Sequence, residues 1–518
     1  MALPALDDYR SLADIPFLQA RARGAEVALR HEGGSLTCAE LDEQVRCLAA
    51  FLQARGLGGG ARVAVLLPNL PAYAVAWFGA IAAGAVAVPV NLRLSPPEVG
   101  YVLRDSGAEA LVTTAEQLRR LGPLPELQGL RLRLLAEGEA EGTLPLAAAL
   151  EAAPLPAPAA VEPDGVATLL YTSGTTGFPK GAMVSHRNAL WNARGCASEL
   201  GYRAGDVGLL SLPMFHVTGL CSQLVAMLAV GGSLVLQREY DTAAVLEAIG
   251  RHRITALFFV PAIYKLLTLR ADPSRHALGS VRVAAYGGAP MDPDTIRAVQ
   301  ALLPARLHNC YGLTETTSLT TVLPADRALS HAHSVGRAVP YVELEVRDPE
   351  GRCLGPGLPG ELFVRGPNVV QGYWRAPEKS AQALAGGWLR TGDLASVDGD
   401  GLVTILDRLK DMVNRGGEKV YCLEVEHVIA AFPGVAEAAV VGGPHPVFGE
   451  VPVAFVAPVP GAALDPEALR RHCAERLADY KVPVAVHQVE RLPRNPGGKV
   501  LKQELRRALD PGPEERKP

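Results

Sequence analysis

One stretch of the chain is built for an anion. Leu169-Leu-Tyr-Thr-Ser-Gly-Thr-Thr-Gly-Phe-Pro-Lys-Gly181 carries an apolar strand into a run of small and hydroxylated residues that ends on a lysine. Gly174 and Gly177 let backbone N–H groups turn inward, which makes an anion-binding concavity. Thr172, Ser173, Thr175 and Thr176 can each donate to a phosphate oxygen, and Lys180 adds a positive charge. The spacing is not that of a P-loop, where lysine directly follows the second glycine and Ser or Thr comes next. Here Phe178 and Pro179 intervene and Gly181 follows. A polar hairpin turn has a related composition, but six consecutive Gly, Ser or Thr residues at 172–177 suit a polyphosphate better.

Five further segments follow in order: Pro213-Met-Phe-His216, Tyr311-Gly-Leu-Thr-Glu315, Thr391-Gly-Asp393, Asp407-Arg408 and Pro493-Arg-Asn-Pro-Gly-Gly-Lys499. With the phosphate loop they resemble the AMP-forming acyl-CoA synthetases of the adenylate-forming superfamily, which includes firefly luciferase and the adenylation domains of peptide synthetases. The resemblance runs from about residue 30 to 505, and six ordered motifs make chance agreement remote. It implies an α/β fold. A large N-terminal domain, here 1–406, would hold two helix-covered β-sheets and a small β-barrel. A small α+β C-terminal domain, 407–518, would turn about a hinge near Lys410, with the active site between the two.

The resemblance also implies roles. Tyr311 would stack on adenine, with Gly288-Ala289-Pro290 on its other side and Asn309, Cys310, Gly312 and Ile405 nearby. Thr314 would bond the α-phosphate. Glu315 would hold Mg²⁺, a hard cation that prefers carboxylate and phosphate oxygens. Asp393 would accept from both ribose hydroxyls, since a carboxylate offers two acceptor oxygens and no donor. Arg408 would complete that contact. The family commonly has Gly-Arg where this chain has Asp407-Arg408; the arginine is kept, so little consequence is expected. Lys499 would be the catalytic lysine, bridging the acyl carboxylate and the α-phosphate while Mg²⁺ and Lys180 neutralise the leaving pyrophosphate. Charge stabilisation of this kind asks little covalent chemistry of the protein. For the second half-reaction, rotation about Lys410 would bring Gly416 and Gly417 beside the pantetheine of coenzyme A.

The acyl pocket is expected from residues that flank the motifs: His216, Val217, Gly219, Gln223, Val260, Tyr264, Gly287, Gly288, Gly312, Leu313 and Thr317. None is Arg or Lys. A dicarboxylate would need its second buried charge paired, and is disfavoured. An α-amino acid would need an acid near His216, and Phe215-His-Val-Thr218 supplies none. The expected substrate is an uncharged aliphatic or aromatic monocarboxylic acid, used with ATP, Mg²⁺ and coenzyme A. One alternative keeps adenylation and loads a carrier-protein thiol. Another is a non-catalytic AMP-binding paralogue, which the presence of Lys499, Glu315 and Asp393 disfavours.

These residues need a scaffold, and the chain has the length for one. At 518 residues and 48% hydrophobic it is too long for a single ordinary domain. Net charge is -4, with no basic stripe, so no nucleic-acid partner is expected. The eight cysteines are scattered without a CxxC pair, which fits a reduced cytoplasmic protein acting as monomer or homodimer. Met1–Arg10 has acids and no apolar core, which argues against a secretory signal. Ala72–Val90 is uncharged and close to the ~20 residues that a bilayer requires. Its Gly and Ala content instead predicts a buried helix at 72–83 closed by Gly84, then a buried strand at 86–90.

Apolar runs at 61–67, 108–113, 233–236, 256–260 and 281–285 alternate with helical stretches, which predicts mainly parallel sheets. Residues 122–165, rich in Pro, Ala, Leu and Glu, read as a surface excursion. Residues 341–405, with short strands and Gly-Pro turns, read as a β-rich part. Beyond 407 the pattern gives a helix at 423–431, strands near 436–441 and 452–457, and a helix at 466–478. The tail 510–518 reads as disordered.

Overall fold

The computed structural model describes residues 3–172, 179–409, 411–416, 418–459, 461–494 and 500–509. The chain divides into two compact units. Unit 1 comprises Met1–Leu344 and Val364–Arg390; unit 2 comprises Glu345–Phe363 and Thr391–Pro518.

Two sheets organise unit 1. One has the strand order Arg337–Ala338, Thr321–Leu323, Arg306–Tyr311, Val283–Gly287, Ala256–Phe259, Val207–Leu210, Ser233–Leu236, Val27–His31 and Gly34–Thr37. From Arg306–Tyr311 across to Val27–His31 its pairing is parallel. Within this run Val283–Gly287 and Ala256–Phe259 are apolar on both faces and almost wholly buried, as parallel strands covered by helices must be. The other sheet orders Leu144–Pro145, Leu132–Glu137, Ala110–Thr114, Arg62–Val65, Val86–Pro89, Val166–Thr172 and Lys180–Ser185. It is parallel except for the hairpin of its last two strands.

The uncharged run is a core helix, Pro71–Ala82. Pro71 sits at its first position, where the missing N–H costs nothing. Gly84 stops it with φ of 84°. Tyr73, Trp77 and Phe78 are fully buried, each removing surface worth about 2–3 kcal/mol from water. Gly79 permits close approach of the helix Cys38–Gln53: a Cβ there would stand 2.7 Å from Leu48 Cδ2. No helix among the described residues is long and apolar enough to cross a membrane.

Residues 122–165 depart from expectation. They contain the strand Leu132–Glu137, paired with Ala110–Thr114, and Leu132, Leu134 and Leu135 are buried. The surrounding Pro, Ala and Glu masked a short apolar run that composition alone treats as exposed. The longest irregular stretch, after Ala149, is tied down: Ala159 N–H donates to the Ala82 carbonyl at 2.8 Å and Arg46 Nη1 to the Leu155 carbonyl at 2.6 Å.

The β-rich reading of 341–405 corresponds to strands Glu343–Arg347, Gly360–Arg365, Leu384–Ala385, Trp388–Val397 and Val403–Arg408, with one helix, Pro377–Ala383. The C-terminal part of unit 2 is α+β. Its sheet orders Glu418–Val420, Val413–Arg415, Gly449–Pro458 and Val435–His445, and Ala485–Gln488 pairs with Gly449–Pro458. Alternation along these strands makes two cores. Val440, Ala454 and Val456 pack with helices Cys422–Ala430 and Pro466–Ala474 through Val425, Ile429 and Leu469. Ala439, Val441, Val453 and Phe455 face Leu492 and Leu505, the latter from helix Lys502–Leu509. The helix expected at 466–478 ends at Ala474. The tail 510–518 lies outside the described residues.

Candidate active site

Four neighbouring parallel strands of unit 1 end where the candidate residues begin. After Val207–Leu210 come His216, Val217, Gly219 and Gln223. Val260 and Tyr264 follow Ala256–Phe259. Val283–Gly287 runs into Gly288, Ala289 and Pro290, and Arg306–Tyr311 into Gly312, Leu313, Thr314, Glu315 and Thr317. The carboxyl edge of an open parallel sheet is where such folds bind ligands.

The last of these turns is tightly specified. A Cβ on Gly312 would lie 1.3 Å from the Ser318 carbonyl oxygen, so only glycine lets the chain double back here. Thr317 and Ser318 take φ of 53° and 88°. Leu313 N–H donates to Thr316 Oγ1 at 2.8 Å. Asn368 braces the far side, its Nδ2 donating to the carbonyls of Thr316 at 3.1 Å and Leu319 at 2.9 Å, while Thr317 Oγ1 donates to the Asn368 carbonyl at 2.7 Å. Residues 316–320 are buried; Tyr311, Gly312, Leu313, Thr314 and Glu315 stay half-buried and reachable. Beside them Gly287 and Cys310 are register partners, and a Cβ on Gly287 would stand 2.6 Å from the Cys310 carbonyl oxygen. Gly288, Ala289 and Pro290 are exposed, with Gly288 at φ of 80°. Asn309 is buried and donates from Nδ2 to the Ser334 carbonyl at 3.0 Å. Burial holds the Cys310 thiol far above its ordinary pKa.

The expected pocket residues are unlike one another. His216 is half-buried against the Phe215 ring, 4.7 Å between centroids. Burial, aided by Arg93, pulls its pKa to about 4, so it is a neutral imidazole at physiological pH. Val217 is half-buried. Gly219 is the second residue of a π-helical stretch, Thr218–Val225, and a Cβ there would stand 2.4 Å from the Pro213 carbonyl oxygen. Gln223 is buried and donates from Nε2 to the Leu209 carbonyl at 3.1 Å. Val260 is exposed. Tyr264 is wholly buried in the core under the sheet, with its hydroxyl donating to the Ala285 carbonyl at 3.1 Å.

The phosphate-loop hairpin pairs Thr172 with Lys180 and Tyr171 with Gly181. Of the loop itself, Ser173, Gly174, Thr175, Thr176 and Gly177 lie outside the described residues. At its base Tyr171 donates to Asp105 Oδ2 at 2.6 Å. Burial, reinforced by the Asp105 carboxylate, raises the Tyr171 pKa and keeps the phenol a donor. Lys180 and Glu315, far apart in sequence, meet around Tyr373. The Tyr373 hydroxyl donates to Glu315 Oε1 at 2.8 Å, and Lys180 Nζ lies 5.2 Å from the Tyr373 ring centroid. Burial, then the Glu315 charge, raise the Tyr373 pKa. Sequence reasoning missed Tyr373, Asn368 and Asp105. Their partners lie dozens of residues away, and no local spacing announces them.

Among the described residues no group of three or more His, Cys, Asp or Glu could hold a metal. A single carboxylate is nonetheless what Mg²⁺ takes from a protein when nucleotide phosphates supply its other ligands. Glu315 fits that use, since one accepted hydrogen bond leaves most of a carboxylate's lone pairs.

Unit 2 contains the remaining candidates. Asp393 and Arg408 are cross-strand partners, Arg408 Nε standing 3.3 Å from Asp393 Oδ1. Asp393 is 3% exposed, and its N–H donates to Thr391 Oγ1 at 3.1 Å. Ile405 is half-buried opposite Ala395. Asp407 carries a structural load: Oδ1 accepts from Arg408 N–H at 2.7 Å and Oδ2 from Cys422 N–H, tying the strand before residue 410 to the next helix. Gly416 takes φ of 59°, with its N–H donating to the Phe448 carbonyl at 2.8 Å. Lys410, Gly417 and Lys499 lie outside the described residues.

Known proteins match this chain along its length. The profile of the AMP-binding enzyme family covers residues 17–374, and that of the AMP-binding enzyme C-terminal domain covers 424–499. A feruloyl-CoA synthase of Amycolatopsis sp is 39% identical over 96% of this chain and 99% of its own. The fatty acid–[acyl-carrier-protein] ligase ScoC of Streptomyces coeruleorubidus is 36% identical over 92% of each chain. The solved o-succinylbenzoate CoA synthetase MenE of Bacillus subtilis, in complex with its acyl-adenylate intermediate OSB-AMP, is 30% identical, with a TM-score of 0.86 over 95% of this chain and 97% of that one. The chain belongs to the AMP-binding enzymes, the adenylate-forming acyl-CoA ligase family, and is an ATP-using acid–thiol ligase.

Proposed function

We propose that this enzyme activates an uncharged monocarboxylic acid as its acyl-adenylate and passes the acyl group to coenzyme A, releasing AMP and pyrophosphate. The observation that supports it best is the carboxyl edge of four adjacent strands, where a braced turn presents Tyr311 to Glu315 and brings Glu315 and Lys180 to one tyrosine.

In this reading Tyr311 and the segment 288–290 hold adenine, with Asn309, Cys310 and Ile405 near it. Thr314 bonds the α-phosphate, and Asp393 with Arg408 takes the ribose. Thr172 to Gly177 cradle the phosphates. Glu315 and the phosphates hold Mg²⁺, which supplies charge neutralisation of the triphosphate when bound. Lys499 draws the acid's carboxylate to the α-phosphorus, and Lys180 stabilises the departing pyrophosphate. These effects are positioning and electrostatics, which suffice for attack by an already anionic nucleophile. The mobile C-terminal domain, 407–518, then turns about Lys410, and Gly416 and Gly417 admit the pantetheine.

The expected pocket residues support this acid class. His216 is neutral, and none of the pocket residues is Arg or Lys, so a second carboxylate would be buried unpaired. Tyr264 and Gln223 spend polar atoms on backbone carbonyls and serve as the pocket's backing. The feruloyl-CoA synthase relatives favour an aromatic acid within this class. A second reading, transfer to a carrier-protein thiol, draws support from the acyl-carrier-protein ligase relative.

A panel of aryl, short-chain and long-chain acids with ATP and Mg²⁺, offered coenzyme A or a phosphopantetheinylated carrier protein, tests both readings by mass spectrometry of the thioester. Coenzyme A thioester with an uncharged acid is the expected product. ATP left uncleaved with every acid would refute adenylation. Lys499→Ala is expected to abolish ATP–pyrophosphate exchange while sparing thioester formation from supplied adenylate.

A further inference from the structure

The segment from Val370 to Trp374 carries no recognised chemistry, yet hydrogen bonds lace it between two elements that do. Val370 N–H donates to the Glu315 carbonyl at 2.9 Å. Met183 N–H donates to the Gly372 carbonyl at 3.0 Å, and Trp374 N–H to the Gly181 carbonyl at 2.8 Å. Tyr373 N–H donates to Ser380 Oγ at 2.8 Å, and Tyr373 bridges Ala182 in antiparallel register. The Tyr373 backbone is therefore fixed on one side to the strand that begins at Lys180 and on the other to the turn that carries Glu315.

From that position the one side chain serves both charges. Its hydroxyl holds Glu315 Oε1 at 2.8 Å, and its ring lies under Lys180 Nζ. Among the described residues Lys180 makes no ion pair. A lysine and a glutamate seated on one half-buried tyrosine attract each other more strongly than the same charges would in water.

We propose, resting on the reading of Glu315 as the magnesium ligand, that Tyr373 is a positioning residue for adenylation. It gives the carboxylate a hydrogen bond and the ammonium an aromatic face, so the two charges stay apart and each remains available, one to the metal and the other to the phosphates. The phenol donates and accepts no metal itself; its role is to aim Glu315. The ring's attraction for a cation holds Lys180 without neutralising it.

The test uses the full chain with Tyr373→Phe, Tyr373→Leu and Glu315→Gln. Phenylalanine keeps the ring and removes only the O–H. Three quantities are read: the Mg²⁺ concentration for half-maximal ATP–pyrophosphate exchange, the calorimetric affinity for ATP with and without Mg²⁺, and thioester formation from supplied adenylate of the best acid. Tyr373→Phe is expected to raise the Mg²⁺ requirement about tenfold to 150-fold, the loss of one hydrogen bond to a charged group. Its affinity for metal-free ATP and its thioester step should stay at the wild-type level. Tyr373→Leu should in addition weaken metal-free ATP, because Lys180 loses its seat. An unchanged Mg²⁺ requirement in Tyr373→Phe overturns the inference, as does equal weakening of ATP with and without metal. Glu315→Gln separates the layers. If it leaves the Mg²⁺ requirement unaltered, the metal-ligand reading fails; if it raises the requirement and Tyr373→Phe does not, the positioning inference alone fails.

Discussion

Replacing Lys502 by Met tests what holds the start of the last described helix to unit 2. Lys502 Nζ stands 2.6 Å from Glu426 Oε1, and the two side chains are only 15% and 14% exposed. Glu426 also accepts from Val440 N–H at 2.7 Å. Lys502 also acts on Asp407, itself 1% exposed. Burial raises the pKa of both carboxyls, and Lys502 is the charge that opposes the rise. For Lys502 itself burial pulls downward, but Glu426, Cys422 and Asp407 outweigh it and the pKa ends above the ordinary lysine value. Methionine keeps most of the stem volume and removes the charge, which leaves two buried carboxylates without their cation. Breaking a buried pair from one side costs about 3–5 kcal/mol, and the slight exposure here puts the expectation at about 3 kcal/mol.

The loss should depend on pH in a definite direction. An acid whose folded-state pKa lies above its unfolded value binds its proton more tightly when folded. Its contribution is favourable below the unfolded value, near 4, and is lost as the pH rises through the folded one. Without Lys502 those folded values move further up, so the mutant's deficit should be small at pH 4.5 and grow to its full size by pH 8. Urea denaturation of both proteins at several pH values reads this directly. Lys502→Met with Glu426→Gln, which keeps an acceptor for Val440, should recover more than half of the loss. A deficit independent of pH, or a double mutant no more stable than the single one, would refute the electrostatic account.

Gly312→Ala places a Cβ 1.3 Å from the Ser318 carbonyl oxygen, so the turn presenting Thr314 and Glu315 must shift by an ångström or more. Adenylation, read by pyrophosphate exchange, should fall about 100-fold or more, and a loss under twofold would show that the turn is not what positions these residues. His186 is buried, its Nδ1 accepts from Leu12 N–H at 3.2 Å, and burial lowers its pKa from 6.5 to about 4. A depressed histidine stabilises the fold fully above pH 6.5 and loses that contribution as the pH falls toward 4, about 3 kcal/mol over the interval. His186→Asn, which retains an acceptor near the Nδ1 position, should therefore lose less stability than wild type between pH 6.5 and 4 in denaturant titrations, and parallel curves would count against it.

What the sequence disclosed was local. The strand at 233–236 and the helix at 72–83 could be read because each apolar pattern is set within a few residues of itself, and the structure has them at Ser233–Leu236 and Pro71–Ala82. The strand Leu132–Glu137 was lost because its burial depends on Ala110–Thr114 beside it, which composition does not see. The motif around Tyr311 was legible through its resemblance to a family segment, and the structure adds that its Gly312 is a local demand of the turn.

Partners at a distance leave no such mark. Tyr373 lies 58 residues from Glu315, Asn368 lies 52 from Thr316 and Lys502 lies 76 from Glu426, and each pair is joined only once the sheets are in place. An acid at 407 in place of the expected glycine looked inert because the arginine beside it was kept. In the fold that carboxylate secures two backbone N–H groups on either side of residue 410. Residues that touch nucleotide are constrained by the nucleotide's fixed chemistry, so their spacing repeats and can be read. Residues that brace a turn or a strand are constrained only by whatever the fold happens to bring alongside, and so the contacts of Tyr373 and Asp407 had to be found in three dimensions.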